Sequence, residues 1–412
     1  MNVTSRWAWV IANLARQLWF RASLFSVAAV ATALLAWFVK PWIPADWPSL
    51  VGADAVDGIL GILGSSMLTV TVFSLTTMVS AYSAASTNVT PRATRLLLED
   101  STSQNALSTF LGAFLFALVG IVALSTGLYG DSGRLVLFVA TMFVLLVIVV
   151  TLLRWITHLS TLGQMGDTIE RVENAAMSVF EEYLAQPLLG AAPKRGPNPP
   201  GGHLVLGEQV GYLLHIDIEA LARAAGDDGT VHVCSLPGSF VHRRQALAWV
   251  SFDDPDRHDE VARAFSIGVQ RGYDQDPRFG LIVLAEIASR SLSAAVNDSG
   301  TAISVLGALV RILDRWSRRD ESPAPRYERV FVPELDIDDL FDDAFAPIAR
   351  DGAGIVEVGL RLQKSLAMLA AVGDAETRDA ARRLSALALE HASCSLKLES
   401  ELARLRAAAA RV

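Results

Sequence analysis

Between Gly58 and Pro91 the chain holds no charged residue, yet the second half of this stretch is crowded with hydroxyls: Thr69, Thr71, Ser74, Thr76, Thr77, Ser80, Tyr82, Ser83, Ser86 and Thr87. Thr69, Phe73, Thr76, Ser80, Ser83 and Thr87 recur at three- and four-residue steps, so on a helix they share one stripe. Such a stripe could line a water-filled path around the axis of an oligomer, with Phe73 as an apolar constriction. The same hydroxyls could instead bond the carbonyls four residues back, or a neighbouring helix. No Lys, Arg, Asp or Glu falls inside the apolar runs, which leaves a proton relay or charge-coupled transport site without a carrier.

A second constellation lies far downstream. Arg290 stands among apolar neighbours shortly before Asn297-Asp298-Ser299-Gly300, a break at which Asp298 is placed to cap the following helix. A cation there is held by a carboxylate, Asp298 or Glu286, or else it holds a ligand. Catalytic chemistry finds little support. There is no phosphate-cradling glycine loop, no nucleophile elbow and no metal-ligand cluster. The seven histidines are scattered, and the two cysteines, Cys234 and Cys394, are far apart. His232 and Cys234 share a strand face but lack two further ligands nearby. The acidic run Leu335-Asp-Ile-Asp-Asp-Leu lacks the glycine and terminal glutamate of a calcium loop. The expectation is a protein that is not an enzyme and carries no metal and no cofactor.

The elements that must position these residues divide between two solvents. The 412 residues are 52% hydrophobic and 19% charged, against about 25% charged in ordinary globular chains. Four long apolar runs precede Leu153, while nearly all the acids follow Asp167. The net charge of −8 makes nucleic acid an unsuitable partner. A bilayer core needs roughly 20 apolar helical residues. Four runs meet that: Ala22–Val39, Gly58 to beyond Tyr82, Leu107–Tyr129 and Leu135–Leu153. The first follows a basic segment but is too long and lacks a small-residue cleavage site, so it reads as a retained helix. The second, as one helix to Pro91, would extend roughly 50 Å and so tilt or run out of the membrane. Its Gly58, Gly61 and Gly64, with Gly112, Ala113, Ala117 and Gly120 of the third, allow close helix packing. The fourth is apolar all round and should face lipid on most sides. Arg6, Arg16, Arg21, Arg92, Arg95, Arg154 and Arg171 fall on one side of the spans. Lys40 and Arg134 fall on the other, among acids. The positive-inside rule then places both termini in the cytoplasm.

The resulting plan is an α-helical membrane protein with about four transmembrane helices and a mixed α+β, mainly helical cytoplasmic domain. Residues 1–157 form the membrane domain, and 158–185 an amphipathic helix continuing span four. Residues 186–203 are a Pro/Gly-rich linker, 204–252 a small strand-rich module suited to a barrel, and 253–412 a helical domain. Within the last, the periodicity predicts helices over 259–270, 281–293, 301–316, 354–369 and 376–406, with a strand at Arg329-Val-Phe-Val-Pro.

Several motifs carry a resemblance. They are Thr90-Pro91-Arg92 after span two, Leu98–Phe110, Asp276-Pro-Arg-Phe-Gly280 and Arg290-Ser-Leu-Ser-Ala-Ala-Val-Asn297-Asp298. Over nearly its whole length the chain resembles the uncharacterised bacterial membrane proteins grouped as domain of unknown function 2254. That family usually has Ser-Pro-Arg at the first motif. It usually has prolines where Ala294 and Ser299 stand here, so the family's bend at this site does not carry over directly. The resemblance implies a bacterial inner-membrane protein of this topology and supplies no activity. Two functions fit the residues. One is a homo-oligomeric, channel-like or transport-related protein with Thr69, Phe73, Thr76, Ser80 and Ser83 lining a path through the lipid bilayer. The other is a membrane-anchored sensor or interaction module acting near Arg290, Asn297 and Asp298.

Overall fold

The computed structural model describes residues 23, 27, 31 and 53–412, apart from 89, 99, 126–129, 161–162 and 320–323. The first expected span, Ala22–Val39, lies almost wholly outside the described residues. The chain divides into two units. Among the described residues, one is apolar and contains those up to Thr87 and Thr94–Gln164; the other is mixed and contains Asn88–Ala93 and Met165–Val412.

The apolar unit is built from α1 (Ala53–Asn88), most of α2 (Pro91–Leu98), α3 (Ser101–Ser125) and α4 (Gly130–Leu159). Three described helices are long and apolar enough to cross a membrane, over Ala55–Ser83, Thr102–Ser125 and Leu135–Leu159. Small residues set their approach. A Cβ on Gly64 would lie 3.6 Å from that of Ala117, and one on Gly120 would lie 3.0 Å from Leu60. Gly58 and Gly61 have nothing within 4 Å, so only Gly64 of that trio serves the packing expected of it. Val56, Leu60, Leu63 and Met67 of α1 join Phe110, Phe116, Leu137 and Trp155 in one core. Val139, Phe143, Leu146, Val149, Leu153 and Ile156 of α4 point outward, as its uniformly apolar sequence predicts.

The helix expected to continue span four is interrupted. α4 ends at Leu159 and α5 (Met165–Ala185) begins after a break in which Gly163 takes φ +80. Glycine is the residue that reaches that region without steric cost. The mixed unit then adds more strand than the linker prediction allowed. A 3-10 turn at Pro187–Gly190 leads into β1 (Ala191–Pro193), inside the segment predicted to hold no regular element. Leu188 and Leu189 there hold φ 54 and 59, a left-handed geometry that costs an L-residue roughly 1–2 kcal/mol.

The remaining strands are β2 (His203–Leu206), β3 (Gly211–Ile216), β4 (Val231–Val233), β5 (Phe240–Val241), β6 (Ala246–Val250), β7 (Phe265–Gly268) and β8 (Tyr327–Val332). They form two sheets rather than a small barrel, in the orders β1-β8-β4-β6-β2 and β5-β3-β7. β8 runs parallel to both β1 and β4, and the other pairings are antiparallel. The short helices between strands are α6 (Ile218–Ala225) and α7 (Pro255–Arg263). The helix predicted over 259–270 therefore stops at Arg263, because Phe265–Gly268 pairs with β3 instead.

Six described helices complete the unit: α8 (Pro277–Ser291), α9 (Ser299–Ser317), α10 (Ile337–Asp351), α11 (Val356–Val372), α12 (Ala375–Ser395) and α13 (Glu399–Ala409). The single helix predicted over 376–406 is split at Leu396–Leu398 into α12 and α13. α5 packs against α8 and α9, so closely that a Cβ on Gly280 would fall 2.3 Å from the Cβ of Ala176.

Candidate functional site

The hydroxyl stripe can be placed first. At 100° per residue, Leu60, Met67, Ser74 and Met78 form the buried face of α1. Thr69, Phe73, Thr76, Ser80 and Ser83 are all exposed, on a different face. Leu68, Val72, Leu75 and Val79, also exposed, make a purely apolar flank between the two. Thr69 and Thr76 donate their protons to the carbonyls of Ser65 and Val72 at 3.1 and 2.9 Å. The back-bonding alternative therefore applies to both, and it leaves their oxygen lone pairs directed away from the helix backbone. Ser74, by contrast, is fully buried and accepts a 2.9 Å bond from Trp155 Nε1 of α4.

A polar cluster that sequence reasoning missed sits where α3 begins and α4 ends. Asp100 Oδ2 accepts from Ser103 N at 2.7 Å, which caps α3, and lies 2.9 Å from His158 Nε2. Ser103 Oγ is 3.3 Å from the same ring nitrogen. Read along the chain, His158 was one scattered histidine among seven.

In the mixed unit, the motif residues following α1 find a partner on α8. Arg92 pairs with Glu286, and Thr90 Oγ1 donates to the other carboxylate oxygen at 3.3 Å. Pro91 opens α2, where its missing N–H costs nothing. Glu286 also lines a groove of about 590 Å³ with Ile282, Ser289, Asp342, Asp343, Pro347, Arg350 and His391. The acids of α10 are taken up by arginines. Arg278 holds Asp339 and Asp343, and Arg383 holds Asp338 and Asp342. Among the described residues no three His, Cys, Asp or Glu side chains gather as a metal set. His232 instead stacks on Phe331, ring centres 4.4 Å apart, with its edge toward Trp249. Burial, then the Lys194 ammonium, holds its imidazole below the ordinary value.

Arg290 is half-buried near the end of α8, and Asn297 and Asp298 are exposed in the turn before α9. The turn is knitted by Asn297 N to Ser293 O at 2.8 Å and Asp298 N to Ser291 O at 2.8 Å. Asn297 takes φ +50, a region where asparagine is enriched. Asp298 caps α9, accepting from Thr301 N at 3.1 Å and Thr301 Oγ1 at 2.6 Å. The hydroxyl and amide of Thr301 hold its carboxyl below the usual range. Since the folded value is the lower one, the cap contributes fully above the unfolded value near pH 4. It is lost as pH falls through the folded value. Asp298→Ala should destabilise the start of α9 by about 1 kcal/mol at neutral pH and by nothing in strong acid. Amide exchange at Thr301 across that pH range reads both effects.

Residues 15–368 match the family model described as a predicted membrane protein, DUF2254. The chain belongs to that family. Among curated proteins, this DUF2254 chain is similar to the uncharacterized proteins Mb1321c of Mycobacterium bovis and Rv1290c of Mycobacterium tuberculosis. Each is 27% identical over 267 residues, covering 60% of this chain and 50% of the relative. The chain thus spans about half the length of the curated relatives it matches. No solved structure matches it.

Proposed function

We propose that this DUF2254 protein is an oligomeric, channel-like or transport-related protein of the bacterial inner membrane, with both termini cytoplasmic. In this reading α1 of each copy lines a shared path and the mixed unit regulates it. The observation that carries the reading is the exposed face of Thr69, Phe73, Thr76, Ser80 and Ser83, set apart from the apolar flank of Leu68, Val72, Leu75 and Val79. Lipid is matched by the flank. The hydroxyl face is better matched by water or by the axis of an assembly. Hydroxyls that have given their protons to Ser65 and Val72 offer oxygens outward, which suits water or a cation more than an anion.

In proteoliposomes, the triple change Thr69→Leu, Thr76→Leu, Ser80→Leu should abolish cation flux, while Phe73→Ala should raise it. Flux indifferent to the triple change would rule the path out. A second reading, a membrane-anchored sensor or interaction module, is favoured by the Arg92–Glu286 pair, which ties the residues directly after α1 into the mixed unit. Under that reading Arg290→Ala should abolish partner binding with fold and assembly intact. No catalytic step is assigned under either.

A further inference from the structure

The left-handed turn that ends the approach to β1 forms one wall of a cavity of about 260 Å³, whose other walls come from the segment entering β8 and from Glu334. That volume is just below the roughly 300–1,000 Å³ of small-molecule sites and too small for a peptide. Three features converge on it. Leu188, Leu189 and Gly190 are three consecutive residues at positive φ, two of them leucines. Backbone held in such a region concentrates at ligand sites. The β1–β8 ladder is irregular at the same place, with Ala191 opposite Tyr327 but Ala192 opposite Phe331, and such slips also gather beside sites. Finally, Arg195 and Arg326 both line the cavity, and no carboxylate pairs with either among the described residues. Tyr327, which lines it too, has a buried hydroxyl with no hydrogen-bond partner among the described residues.

Two guanidiniums against the single carboxylate of Glu334, with walls of leucine and proline, describe one kind of ligand. We propose that this cavity binds a small organic anion, a phosphomonoester or carboxylate carried on an apolar or aromatic body. The arginines would take the anion, as their forked donors do for both oxyanions. Leu189, Pro187 and Pro325 would cover the apolar body. The site is independent of the path along α1, so either can fail alone.

Calorimetry on the full chain in detergent, with phenyl phosphate and benzoate as probes, tests it. At least one should bind saturably at millimolar concentration or below, with phenol, the uncharged analogue, not binding. Arg195→Ala and Arg326→Ala should each weaken binding by about tenfold, the loss of one charge-assisted contact. Both arginines are exposed, so the variants should melt with the parent and report binding alone. Binding of neither probe, binding untouched by both arginine changes, or equal binding of phenol would each overturn the proposal.

Discussion

Asp276→Ala should be the most damaging single change in the mixed unit, lowering its stability by about 3–5 kcal/mol. The carboxylate is 3% exposed and faces Arg271, itself 19% exposed. It accepts from Arg271 Nη2 at 3.1 Å and from the backbone N–H groups of Arg278 and Phe279 at 3.1 and 3.2 Å. Removing it leaves a largely buried guanidinium without its counter-charge, and takes the cap from α8. Burial pushes the carboxyl up, and Arg271 with the two amides opposes that push. The surroundings leave no room to adapt. Gly238 takes φ +91, and a Cβ on it would stand 2.2 Å from Asp276 Oδ2. Asp276→Asn, which keeps an acceptor but loses the charge, should fall between parent and alanine. Hydrogen exchange over Pro277–Ser291 in increasing urea measures the order, and exchange in the alanine variant matching the parent would show that the pair contributes nothing.

In the apolar unit the corresponding change is Trp155→Ala, expected to cost about 3–5 kcal/mol. Trp155 is 2% exposed, packs beside His158 with ring centres 5.7 Å apart, and gives its indole N–H to buried Ser74. The truncation empties a large volume where α1 and α4 meet and strands the hydroxyl. Ser74→Ala alone should cost only about 1 kcal/mol, since hydrogen bonds between membrane helices are individually modest. The double variant should cost less than the sum of the two singles, because the indole and the hydroxyl share one bond. Denaturant titration in bicelles gives all three values. A Trp155→Ala protein as stable as the parent would mean that this contact does not hold the helices together.

Much of this fold was legible because its signals are local. Hydropathy located the three long apolar helices among the described residues. Asp298 was likewise recognisable as a cap. The misplaced elements depend on distant partners. Ala191-Ala192-Pro193 has no strand character of its own and becomes β1 only beside β8. Phe265-Ser-Ile-Gly continued a helical period until β3 claimed it. The sites follow the same division. The hydroxyl stripe shows in spacing, although the direction it faces does not. Arg92 and Glu286 could not be matched in advance, since the motif and its carboxylate are separated by nearly half the chain, 196 residues for Thr90 and Glu286. The cavity at Leu189 was invisible for another reason: left-handed leucines contradict their own local preference.

Residues 88–93 group with the mixed unit although two helices long and apolar enough to cross a membrane separate them from Met165. The mixed unit is therefore a discontinuous domain, assembled from separate stretches of chain. A fragment begun at Met165, the natural place to cut for a soluble protein, would leave Glu286 facing water with neither Arg92 nor Thr90 beside it. Its groove would carry one more uncompensated negative charge than the intact protein's. A short peptide bearing Thr90-Pro91-Arg92-Ala93 should then behave as a ligand for that fragment, filling in trans a place the intact chain fills for itself.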